Sequence, residues 1–299
     1  MKKILIGSRA MSEHMDIGRD PLDTDYIGTF EYVNEYSNVS GVKMRTLSTN
    51  KVVFFMPNKE IIELEVAWAG STGAELIEYV RNDINTLHFD DYDVPSLDVL
   101  YAIKMTHRFK RDITHFEKTR RDILHMESEG AKIPEDLQDW YKRRLKETLD
   151  FKSPSLNQDK ASFFTDAVDY YWDHDSIHEV VARGHRPAYM EYKIPGEDVK
   201  CSRELFEECS FQSRLNGVIE EATVLAIERS IYPYYWDKPE MWESVYRMSL
   251  LKVCTTITSG WFRDFAWRNY SAALTEFDAG DIYKFIKAAE SGEVKLHGK

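Results

Sequence analysis

The chain has 299 residues, of which 43% are hydrophobic and 30% charged, a balance that fits folded domains and excludes a disordered polymer. Its formal net charge is −12, so any contact with nucleic acid has to come from a local basic patch. The three cysteines, Cys201, Cys209 and Cys254, include no CxxC pair, which points to reduced thiols and a cytoplasmic setting.

Lys3 to Ile6 reads as a short buried strand. Its apolar stretch ends at Gly7-Ser8-Arg9, so it has no secretory apolar core, and no run is long enough to span a bilayer. Gly7 to His14 can make one or two helical turns, and Asp16 to Asp23, with Gly18 and Pro21, should be loop. Strand character returns from Asp25 to Phe30. Residues 51–56 form a β-branched and aromatic run that Pro57-Asn58 ends, and residues 61–67 alternate polar and apolar, so the two make a plausible hairpin. A helix starts near Thr72, capped by Ser71 or Thr72.

From about Pro95 helical patterns dominate. One helix is expected from Ser96 through Tyr101, Met105 and Phe109, and a second from Phe116 to Met126. Others fit 138–149, 162–182, 203–230, 240–269 and 278–290. The fold class is therefore α+β: a small mixed sheet with helices at 1–92, followed by a larger, mainly helical domain at 93–299.

The chemistry-bearing pattern is Ile6-Gly7-Ser8-Arg9-Ala10 followed by Leu22-Asp23-Thr24-Asp25-Tyr26. A Gly-Ser pair after a buried strand lets backbone N–H groups and a hydroxyl approach phosphate oxygens. Asp23 and Asp25, two apart on a strand, share a face and offer oxygen ligands to Mg²⁺. Two such ions about 4 Å apart can activate an attacking oxygen and neutralise a leaving pyrophosphate.

This arrangement resembles the polymerase-beta-like nucleotidyltransferase superfamily, whose signature is an apolar residue, Gly, then Gly or Ser, and later Asp-x-Asp or Asp-x-Glu. The resemblance implies a third carboxylate on a later strand, which assists with metal or takes the acceptor's proton. Glu63 and Glu65 are both available on one strand face; alternation does not choose between them, and Glu65 is preferred. The metal set is then Asp23, Asp25 and Glu65, with two Mg²⁺ ions and a nucleoside triphosphate as substrate. Arg9 is placed to add a phosphate contact.

The chain also resembles a group of nucleotidyltransferase-like proteins of bacteriophages. That resemblance rests on Gly7-Ser8-Arg9-Ala10, His107-Arg108-Phe109, His115-Phe116-x-Lys118-Thr119-x-x-Asp122, Asp173-His174-Asp175-Ser176-Ile177-His178 and Glu220-Glu221-Ala222. It implies a fold, and a host cytoplasm as the setting, without naming an acceptor.

Residues 104–121 carry seven Lys or Arg in an acidic chain. On a continuous helix, His107, Arg111, His115 and Lys118 would line one face, as a wall toward nucleotide phosphates or an RNA acceptor or as a solvated surface. The cluster Lys142-Arg143-Arg144-x-Lys146 reads as surface. His174 and His178, with Asp175, have metal-ligand spacing on a helix, and Glu220, Glu221, Glu228 or His107 are available to complete the set; this is the basis of a phosphohydrolase alternative. Tyr232, Tyr234, Tyr235, Trp236 and Trp242 read as core packing, with base stacking as the alternative. The expected function is Mg²⁺-dependent transfer of a nucleotidyl group to a hydroxyl of RNA, protein or a small molecule. A catalytically silent nucleotide- or RNA-binding protein is the alternative.

Overall fold

A computed structural model describes residues 2–149, 163–164, 170–171, 200–257 and 259–294. It contains an N-terminal mixed seven-stranded sheet with helices, followed by a mainly helical region. The chain groups into two compact units, Met1–Arg108 with Phe116–Leu149, and Phe109–His115 with Asp150–Lys299. Three helices beyond residue 92 thus pack mainly with the sheet, because its apolar surface needs cover.

In the first unit the strands are β1 (Lys3–Ile6), β2 (Thr24–Gly28), β3 (Lys43–Ser48), β4 (Lys51–Phe55), β5 (Ile61–Val66), β6 (Leu87–His88) and β7 (Tyr92–Val94). Their order across the sheet is β3-β4-β5-β2-β1-β7-β6. The helices are α1 (Gly7–Ser12), α2 (Phe30–Ser37), α3 (Thr72–Asn82), α4 (Leu97–Thr106), α5 (Ile113–Ser128) and α6 (Gln138–Thr148).

Register follows from burial. In β5, Ile62 and Leu64 are buried and Glu63 is not, so a one-residue slip would send both apolar side chains to the wrong face. They join Val52 and Phe54 of β4 against Val33 and Tyr36 of α2. The opposite face carries Ile27, which α3 approaches so closely that a Cβ on Gly73 would lie 3.3 Å from it. Ser71 caps α3 by accepting a hydrogen bond from the N–H of Ala74 at 3.1 Å.

The expected helix from Ser96 through Phe109 is shorter: α4 stops at Thr106 with His107 as its cap. The chain re-enters helix where the Asp112 carboxylate accepts the His115 N–H at 2.8 Å, the usual work of an N-terminal cap. His107, Arg111, His115 and Lys118 therefore do not form one continuous helical face.

The second unit contains α7 (Arg203–Glu208), α8 (Phe211–Ala226), α9 (Trp242–Thr256), α10 (Gly260–Arg268), α11 (Tyr270–Ala279) and α12 (Asp281–Glu290). The expected stretch 203–230 is broken at Cys209-Ser210, because the Ser210 hydroxyl accepts the Ser213 N–H and starts a new helix. The stretch expected at 240–269 breaks before Ser259-Gly260, where α10 begins. A π-helical turn over Ile227–Tyr235 contains Pro233, which has no N–H to give to a regular helix. Two short strands, β8 (Tyr170–Tyr171) and β9 (Lys200–Cys201), pair antiparallel. Tyr170 and Tyr171 are thus extended within the expected helix 162–182, since β-pairing with residues 200–201 supplies their backbone partners. Among the described residues no helix is long and apolar enough to cross a membrane.

Candidate active site

The site is built where β1 turns directly into α1. Gly7 has φ of 74°, in the left-handed region that costs other residues strain, and a Cβ there would collide with the Asp25 carboxylate. Glycine is required twice over, by the sharp turn and by the close approach of the carboxylate. Ile6 pairs antiparallel with Asp25, and Asp25 pairs in parallel register with Glu63. Asp23 lies one residue before β2, at a bend in the chain, and its charge acts on Asp25.

Burial first, and then the charge of Asp23, push the Asp25 carboxyl up to about 6; Glu63 adds to this, while Lys51 and Lys104 oppose it. Lys51, at the start of β4, forms an ion pair with Glu63. Burial by itself would lower the Lys51 ammonium, but the hydrogen bond and charge of Glu63, with Asp25 and Glu65, raise it instead. Three carboxylates and two lysines thus share one end of the sheet.

Glu65 is placed elsewhere. Its Oε2 accepts from the guanidinium of Arg144 on α6 at 2.5 Å, and the same guanidinium donates to Thr72 Oγ1 at 3.1 Å. Arg144 is buried, not a surface residue, and it ties β5 to α3 and α6. The register makes Glu63 the partner of Asp25, whereas Glu65 stands opposite Ile27. The expected set Asp23, Asp25 and Glu65 is therefore not gathered, because Arg144 engages Glu65. Among the described residues no group of three or more His, Cys, Asp or Glu side chains is arranged to hold a metal ion.

Ser8 is buried, and its hydroxyl accepts from Arg19 at 3.0 Å. The same Arg19 nitrogen donates to Asp122 Oδ1 at 2.7 Å, and Lys104 Nζ donates to Asp122 Oδ2 at 2.9 Å. Asp122 on α5 is 1% exposed. Burial would raise its carboxyl, but Lys104 and Arg19 together hold it below the ordinary carboxylate range. Lys104 connects this network to Asp25 through its charge.

Arg9 is half-buried and its Nε has no hydrogen-bond partner. Its charge is felt by Tyr26, on the face of β2 opposite Asp25. His107 caps α4 and Arg111 lies in the segment between α4 and α5. Lys118 lies one turn before Asp122 on α5, on the same side of the helix.

Sequence reasoning missed Lys51, Arg19 and Lys104 as parts of the site. Asp122 lay within one of the motifs, and Lys104 within the basic stretch, without a stated role. The only local signal was a set of charged residues in segments otherwise bound for the interior. Trp236 and Trp242 are buried core residues, 5.4 Å apart between ring centroids, while Tyr234 is exposed. Asp173, His174, Asp175 and His178, the basis of the phosphohydrolase alternative, lie outside the described residues.

A model of a domain of unknown function, DUF7275, matches residues 99–284, and a second, DUF7277, matches residues 3–80. No curated protein and no solved structure matches the chain.

Proposed function

The chain belongs to the DUF7275 family, and we propose that its N-terminal sheet carries a nucleotidyltransferase centre of the polymerase-beta-like kind. The reaction is transfer of a nucleotidyl group from a nucleoside triphosphate to an acceptor hydroxyl, in the cytoplasm, the host's if the protein is of phage origin. The observation that carries the reading is the Asp25 carboxylate seated against Gly7, in register with Glu63 and raised to about 6 by burial and Asp23. A carboxylate held that unfavourably is short of positive charge, and hard oxygen donors match Mg²⁺.

Asp23 and Asp25 would hold the metal and Glu63 would assist, with substrate phosphates completing the shell as Mg²⁺ requires. Magnesium there would supply charge neutralisation for the triphosphate and the departing pyrophosphate. The acceptor oxygen bonds to the α-phosphorus as the bond to pyrophosphate breaks, and the hydroxyl proton passes to a carboxylate of this group. Arg19 and Lys104 fix the turn at Ser8 through Asp122, and Lys51 exchanges Glu63 for a phosphate oxygen. Lys118, Arg9 and His107 are the further candidates for phosphate contact. Catalysis then rests on positioning and charge.

A second reading has its own support. Lys51 and Lys104 already offset the carboxylates, as in a site that binds nucleotide without turnover. The two separate on incubation with each α-labelled triphosphate, Mg²⁺ and cell extract, beside Asp23→Ala/Asp25→Ala. Label transferred by the wild type alone supports the enzyme. Triphosphate binding with no transfer would leave the binding protein.

A further inference from the structure

Between Glu35 and Glu60 the chain has no acidic residue, yet it carries Lys43, Arg45, Lys51 and Lys59, against a net charge of −12 for the whole. This stretch contains the β3–β4 ribbon at the edge of the sheet. All six residues of β3 are exposed. Lys43 and Arg45 form no ion pair among the described residues, so both charges are available.

The pairing decides where these charges point. Asp25 lies opposite Glu63, Glu63 opposite Val53, and Val53 opposite Arg45. Residues paired across adjacent strands project to the same side, so Arg45 stands on the face that carries the carboxylates. At about 4.8 Å per strand, three steps separate the two backbones by about 14 Å. Lys43 is on the same face and pairs with Phe55, a residue 41% exposed. The opposite face of the ribbon is the one that meets α2, where the Ser37 hydroxyl approaches the sulfur of Met44 at 3.5 Å.

We propose that this ribbon face binds single-stranded nucleic acid and leads its end to the Asp25–Glu63 site. Two free cations and an exposed aromatic ring on one face are the elements of a sequence-tolerant strand platform: the cations follow the phosphates and the ring stacks a base. The absence of any acidic residue between Glu35 and Glu60, beside Lys43 and Arg45, is the charge complementarity that favours a polyanion as the occupant of this ribbon. The delivery step rests on the nucleotidyltransferase reading; the binding surface does not.

The test is fluorescence anisotropy of a labelled 12-nucleotide RNA with the full chain in 50 mM salt, alongside triphosphate binding and transfer assays. Lys43→Ala/Arg45→Ala should weaken RNA binding at least about tenfold and reduce the salt slope by about 1.4, with triphosphate affinity unchanged. Phe55→Ala should weaken it about fivefold or more. An unchanged thermal midpoint for the double variant excludes misfolding as the cause. RNA affinity equal to that of the wild type, or no RNA binding by the wild type, overturns the surface. RNA bound through these residues without label transfer supports the surface and faults the transferase reading alone.

Discussion

The two units of the chain bury different things. In the sheet unit the interior holds Lys3, Asp93, Asp122 and Arg144, each less than a tenth exposed. In the helical unit the interior around α8, α9, α11 and α12 is Trp236, Trp242, Tyr246, Phe277 and Ile286, and among the described residues Arg263 is the one charged side chain buried to the same degree. Buried charge is a poor source of stability, because desolvation offsets the Coulomb attraction. An aromatic core contributes through area and contact. The contrast therefore separates a region organised to position charge from one organised to pack.

The sharpest test is Asp122. Its removal in Asp122→Ala leaves the half-buried cations Arg19 and Lys104 without their carboxylate, and should cost about 3 kcal/mol in urea unfolding, the low end for a broken buried pair because water reaches both cations. Replacing all three together, in Arg19→Met/Lys104→Met/Asp122→Leu, should return stability to within about 2 kcal/mol of the wild type. Triphosphate binding should still be lost. If the triple variant binds triphosphate normally, the network is structural only and the contrast between the units collapses.

On the packing side, Trp242→Ala should cost about 3–4 kcal/mol by cavity formation. Trp242 is 2% exposed, and its Nε1 donates to the Tyr235 carbonyl at 2.6 Å. Triphosphate affinity measured below the melting transition should be unchanged. A large loss of affinity in the folded variant would break the division of labour.

Which parts were legible follows from the range of the interactions. Lys3–Ile6, Lys51–Phe55 and Ile61–Val66 show in the sequence because half-buried strands alternate or run apolar. Strand β3 does not show, since a fully exposed strand carries no burial pattern. Helix α2 follows Thr29 with a narrow apolar stripe, Val33 and Tyr36, and was absorbed into the preceding strand signal. Gly7, Ser8, Asp23 and Asp25 stood out as a local pattern. That Glu63, and not Glu65, stands opposite Asp25 follows from the β2–β5 register, which no single segment encodes. Arg19 and Asp122 are 103 positions apart, beyond any periodicity argument.

Asp25 offers a pH test of the charged region. Its folded carboxyl sits at about 6, while the unfolded one titrates near 4. Between about pH 4 and 6 the folded chain keeps a proton that the unfolded chain has lost, so stability falls as pH rises through that window. Above it the deficit is constant. Asp25→Asn should therefore be more stable than the wild type at pH 8, by up to about 2–3 kcal/mol, and equal to it below pH 4. A constant difference across the whole range would mean that Asp25 is not raised.

The smallest effect comes from a pair beside the buried one. Arg143 donates to both oxygens of Glu75, at 2.8 and 2.5 Å, and its hydrogen bond lowers the Glu75 carboxyl. Both side chains are exposed, at 52% and 41%, whereas Arg144 and Glu65 next to them are 9% and 18% exposed. Glu75→Ala should cost less than about 1 kcal/mol, and less again in high salt, because water and ions screen the pair. A lowered carboxyl pKa makes this contribution present at neutral pH and lost as pH falls through the folded value. Adjacent arginines on one helix thus form similar ion pairs with very different consequences. Burial sets the difference, as it does between the two units.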